Sequence, residues 1–220
     1  MAREGRNEKM NIDMNAMKAE AGGAFVVAWL VVGMGWDSLE AALIMAAAWM
    51  TFSGAHILPV VTWMHMMTGD LSDTEGNWMA NGMRLLAQVI GAVLAIALAT
   101  EVGAIETSWA DVQPGFDTPG TWDAIGMIAA GAIFWMVHTR AESAWVSAFA
   151  IMVLAGTMGM TYDVMGPDGT VAMTMSTTGA GEMASSIMSS GEDIANIATA
   201  WIVSGLLCGL GALLATKMDE

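Results

Sequence analysis

The chain has 220 residues, of which 55% are hydrophobic and 13% charged, and its formal net charge is −15. The composition is apolar-rich and charge-poor against ordinary globular usage, and the acidic balance argues against nucleic acid or anionic-lipid partners. Cys208 is the single cysteine, which rules out an intramolecular disulfide and a cysteine metal cluster.

Residues 1–17 read as a polar N-terminal tail without the apolar core of a cleavable signal peptide. Apolar blocks follow at 19–36, 39–52, 85–100, 122–137, 144–160 and 194–215. A bilayer needs about 20 apolar residues per helix, and the last block supplies them outright. Six such blocks in series, with few ionisable residues inside them, predict an all-α integral membrane protein with six transmembrane helices.

The charges agree with that count. Arg3, Arg6, Lys9, Lys18, Arg84, Arg140 and Lys217 all fall before the first block, between the second and third, between the fourth and fifth, or after the sixth. Six spans put those four places on one side. The positive-inside rule makes that side cytoplasmic and locates both termini there. The opposite connections carry Asp37, Glu101, Glu106, Asp111, Asp117, Asp163, Asp168, Glu182, Glu192 and Asp193, and no cation. This acidic outer face is a solvated surface or an attractor of cations.

After the second block the chain reads Ser53-Gly54-Ala55-His56-Ile57-Leu58-Pro59-Val60-Val61-Thr62. The apolar stretch 59–67 is too short to cross a bilayer. After the fifth block, Thr178-Gly179-Ala180-Gly181 leads into a second short stretch, 184–190. Three spans plus one re-entrant half-helix, twice and in opposite orientation, make an inverted repeat. The repeats cover about 18–101 and 120–217 of a single domain, 18–217. Pro59 suits the first turn of a half-helix, where its missing N–H is not needed. Gly54 and Ala55 admit close approach, so turn carbonyls can face a water-filled lumen. Between the repeat's fifth span and its second turn, 159–178 is rich in Gly, Met and Thr. Its Gly166-Pro167-Asp168-Gly169 turn signal predicts an outer cap or hairpin.

The decapeptide resembles the first pore signature of the aquaporin (major intrinsic protein) family, in which Ser-Gly-Ala-His precedes Asn-Pro-Ala-Val-Thr. Leu58 stands where that family has its pore asparagine, and Val60 where it has alanine. Thr178-Gly179-Ala180-Gly181 is similar to the lead-in to the second signature. Aligned without a gap, Met183 takes the asparagine position, Ala184 the proline, Ser185 the alanine and Ser186 the arginine. Glu20, Gln88, Gly91 and the aromatic-then-glycine pattern from Trp201 match the first, third and sixth helices.

The resemblance implies an aquaporin-like homotetramer in the lipid bilayer, each protomer a passive channel for water or small uncharged solutes. It gives Glu20 the role of accepting hydrogen bonds from the re-entrant backbone, with Asp123 as its counterpart in the second half. It makes His56 a brace for the turn, its carbonyl lining the pore, with titratable gating as the alternative role. Leu58 and Met183 cannot donate as asparagines do, so the centre is apolar. Ser186 widens the outer constriction, and Glu182 adds an anion at its mouth. These departures imply altered selectivity, or a non-conducting scaffold, or a pore that tolerates cations. Trp63-Met64-His65-Met66-Met67 has copper-type ligands, but 23 methionines run through the chain, and the cluster reads as helix packing. No metal, cofactor or catalytic motif is expected, and the protein is not expected to be an enzyme.

Overall fold

The computed structural model describes residues 13–32, 38–101, 120–157, 164–165, 171–172, 180–189 and 194–219. Helix α1 (Met14–Val27) starts at Asp13, whose carboxylate accepts from the Asn15 and Ala16 backbone, and it continues as a π-helical turn, Ala28–Val32. Then come α2 (Ser38–Thr51) and the short α3 (Pro59–Thr68). A π-helical turn, Thr74–Met79, capped by Asp73, leads into α4 (Ala80–Glu101). The second half holds α5 (Thr121–Ala141), α6 (Ala144–Thr157), the short α7 (Ala180–Ser189) and α8 (Ile194–Asp219). Within 159–178, two-residue strands β1 (Val164–Met165) and β2 (Val171–Ala172) pair antiparallel. Every other described element is helical.

Among the described residues, three stretches are long and apolar enough to cross a membrane: Thr74–Leu98, Thr121–Ala141 and Trp201–Asp219. The outward faces fit that use. Leu86, Ile90, Leu94 and Leu98 form an exposed stripe on α4, and Ile202, Leu206, Leu210 and Leu214 form one on α8. A four-residue spacing keeps each stripe on one helix face. Apolar stripes of this size facing outward suit lipid and not water.

Helix packing has a regularity of its own. α1 lies against α4, and α5 against α8. α1 meets α2, and α5 meets α6. α3 packs on α8 and α4, while α7 packs on α4 and α8; α2 meets α6. Exchanging the four helices α1–α4 with α5–α8 maps this pattern onto itself. Glycine explains the closest pairs. A Cβ on Gly91 would overlap the Ala21 carbonyl oxygen, and one on Gly131 would overlap that of Cys208. Helix backbones come this close only across such small residues, the usual device where lipid supplies no hydrophobic drive.

The core divides in two. Leu58, Val60, Val61 and Met64 join Met45, Phe134, Ile151 and Cys208 in one buried cluster. Met183, Ala184 and Ala180 join Ala92, Ala95, Ile96 and Trp201 in another. α3 and α7 are each ten residues, about 15 Å of helix, half of what a bilayer core requires.

Candidate solute vestibule

The segment from Ser53 to Leu58 joins α2 to α3 through strained backbone. Gly54 has φ 82° and the β-branched Ile57 has φ 66°, a left-handed conformation that L side chains with branched Cβ rarely adopt. Strain of this kind costs about 1–3 kcal/mol and persists only where the surroundings over-determine it. Here one carboxylate does so. Glu20, fully buried on α1, accepts from the His56 backbone N–H through Oε1 and from the Ile57 N–H through Oε2, both at 2.7 Å.

The same carboxylate accepts from Arg84 Nη1 at 2.6 Å and from Gln88 Nε2 at 2.8 Å. Arg84 also donates to the Gly54 carbonyl at 3.1 Å, and Gln88 to Thr62 Oγ1 at 3.0 Å. A buried carboxylate is tolerable when it is paired and saturated with donors, and these four donors meet that condition. One network thus ties α1, α4 and the turn before α3 together.

His56 Nδ1 lies 3.2 Å from Thr62 Oγ1, so its ring spans the turn. Its carbonyl accepts from Trp49 Nε1 at 3.1 Å and from the Leu58 backbone at 2.7 Å. Leu58 is the N-cap of α3 and gives it no side-chain cap, while Pro59 opens the helix. Ala55, Leu58, Pro59 and Val60 are buried beside Ile57.

In the second half, α7 begins at Ala180, so Met183 is its fourth residue and not its cap. The gap-free alignment, which set Met183 level with Leu58, is therefore out of step with the helix start. Met183 and Ala184 turn instead onto the small face of α4 at Ala92 and Ala95. Gly179 lies outside the described residues. Gly181, Glu182, Ser185 and Ser186 are on α7, but their side chains lie outside the described set. Asp123 is no counterpart to Glu20: it is exposed, and it accepts from the Gly120 N–H as an ordinary helix cap.

A cavity among the described residues adjoins the His56 turn. Its volume is about 320 Å³, and it is lined by Trp49, Gly54, His56, Val61, His65, His138 and the Glu142–Ser147 corner. The chain has three histidines, and all three meet here. His56 and His65 stack with ring centroids 4.1 Å apart and planes 2° from parallel. His138 stands edge-on to His65 at 6.1 Å. Glu142 ends α5 in a left-handed conformation, φ 48°, and this sharp corner brings Ser147 against His138, with Oγ 2.9 Å from Nδ1. Among the described residues, no histidine, cysteine or carboxylate group has the geometry to hold a metal ion.

Sequence reasoning missed His65 and His138 as partners of His56. The signal was present in the charge sorting, which puts 56, 65 and 138 near connections on one side. The chain matches no protein-family model and no curated protein.

Proposed function

We propose that the chain is a passive membrane channel of aquaporin-like architecture, passing small uncharged solutes. In this reading six helices span the bilayer with both termini cytoplasmic. α3 and α7 enter from opposite faces as half-helices, and the cavity at the His56 turn is the cytoplasmic vestibule. The observation that carries the reading is the packing pattern that survives exchange of α1–α4 with α5–α8, as an inverted repeat requires. The lipid-suited stripes on α4 and α8, and the Glu20 network that fixes the turn before α3, support it further.

Charge is excluded by an apolar centre and not by donors. Leu58 and Val61 are 1% exposed and Met64 is fully buried, so the start of α3 is mainly apolar, with Thr62 its buried polar exception. An apolar constriction passes weakly hydrated molecules and holds back ions, which would have to shed their shells. The same burial favours a second reading, a permanently closed scaffold.

Stopped-flow light scattering on proteoliposomes separates them. A channel accelerates shrinkage or swelling with water, urea or glycerol over empty liposomes, whereas a scaffold does not. Leu58→Asn adds a donor at the tip of α3 and raises water flux if Leu58 is the barrier.

A further inference from the structure

The vestibule has a chemistry that a conduit for neutral solutes does not need. Its described lining holds three imidazoles, one carboxylate at Glu142 and the indole of Trp49, and no lysine or arginine. Aromatic faces and a carboxylate attract a small organic cation. A neutral imidazole carries one ring nitrogen with a free electron pair that can take up a proton. Val61 also lines the cavity and belongs to the buried apolar cluster with Leu58, Val60 and Met64, where an unpaired charge is costly. A cation is welcomed and then faces an apolar barrier, with proton acceptors placed between the two.

We propose that the vestibule recruits ammonium-type cations, ammonium itself and small primary alkylammoniums, and strips one proton before the neutral amine enters the apolar passage. This rests on the channel reading and names the solute class for it. In the step, one N–H bond of the cation breaks and its electron pair stays on nitrogen. The proton bonds to a ring nitrogen of His65, giving imidazolium and free amine. The imidazolium then returns its proton to water through the cavity mouth, so only the neutral amine crosses.

His65 is the acceptor because its ring is the one left unengaged. His56 Nδ1 faces Thr62, and His138 Nδ1 faces Ser147. His65 makes no side-chain hydrogen bond among the described residues and is held by ring contacts to His56, Trp135 and His138. The charges around it are few. The Arg84–Glu20 pair lies behind His56, its guanidinium and carboxylate neutralising each other, with Glu20 Oε1 4.0 Å from His56 Nδ1. Glu142 faces the cavity from the α5–α6 corner.

The test uses the purified protein in vesicles of saturated phospholipid and sterol, with a trapped pH dye and an inward ammonium chloride gradient. Free ammonia is held constant while total ammonium is varied, between about pH 6 and about pH 7.5. Recruitment of the cation makes interior alkalinisation follow ammonium, so it is faster at the lower pH. Flux that depends on free ammonia alone overturns the proposal. His65→Leu is expected to lower the ammonium-dependent rate by about tenfold or more relative to the urea flux measured in the same vesicles. His65→Gln, which keeps the shape and a polar end, serves as the second variant and loses the same rate. Full ammonium-dependent flux in a variant that still passes urea overturns the role of His65. Urea flux without any ammonium response overturns this inference and leaves the channel standing. Absence of both fluxes in the wild-type protein overturns both.

Discussion

Replacing Glu20 removes the one group that satisfies four donors at once. In Glu20→Ala the His56 and Ile57 backbone N–H groups, Gln88 Nε2 and Arg84 Nη1 lose acceptors now held at 2.6–2.8 Å. Deleting one partner of a buried ion pair costs about 3–5 kcal/mol, since the other charge is left uncompensated. Arg84 retains some solvent, with 22% of its side chain exposed, which places the loss toward the lower end. Contributions within one network do not add, so the four bonds are not summed separately. At about 2–4 °C per kcal/mol for a chain of this size, the melting temperature falls by about 6–15 °C. Intrinsic tryptophan fluorescence during thermal unfolding in detergent micelles measures it. Glu20→Gln, which keeps an oxygen but adds a donor facing other donors, loses somewhat less. A shift under about 2 °C for the alanine variant would refute the reasoning, because the strained turn at Ile57 would then be held by something else.

Gly91→Val forces a side chain into the Ala21 carbonyl, and the separation of α1 from α4 costs about 1–3 kcal/mol or more in the same melting assay. Arg140 and Asp219 form an ion pair between the ends of α5 and α8 that is 60% and 50% exposed, so Arg140→Ala shifts the melting point by about 2 °C or less. Asp70 accepts from the Ser72 hydroxyl and backbone, and these bonds hold its carboxyl below the ordinary 3.8. A depressed acid contributes stability above its unfolded pKa and loses it as pH falls below that value. Ser72→Ala therefore moves the Asp70 titration upward, as carboxylate NMR shifts would register.

Much of the architecture was legible because its determinants are local. Apolar blocks located the long helices to within a few residues, and Pro59 marked the start of α3 because proline fits a first helical turn. Glu20 stood out as an ionisable residue inside an apolar block, a position that calls for buried partners. What escaped was set by packing. No proline marks the start of α7, and the helix begins earlier than the short stretch 184–190 suggested, carrying Met183 onto the face of α4. Asp123 satisfies a helix end at close range, where a buried network would have needed donors from other helices. His65 and His138 are separated by most of α4 and α5 in sequence. Only the fold of α3 against the α5–α6 corner puts them on one cavity.

The central claim is that α3 enters and leaves on one side of the membrane. In a Cys208→Ser background, single cysteines at the exposed positions Ser53, Ser72 and Thr121 are treated with a membrane-impermeant thiol reagent in sealed vesicles of known orientation. The expected result is that 53 and 72 react from the same side and 121 from the other. Labelling of 53 and 72 from opposite sides would contradict it.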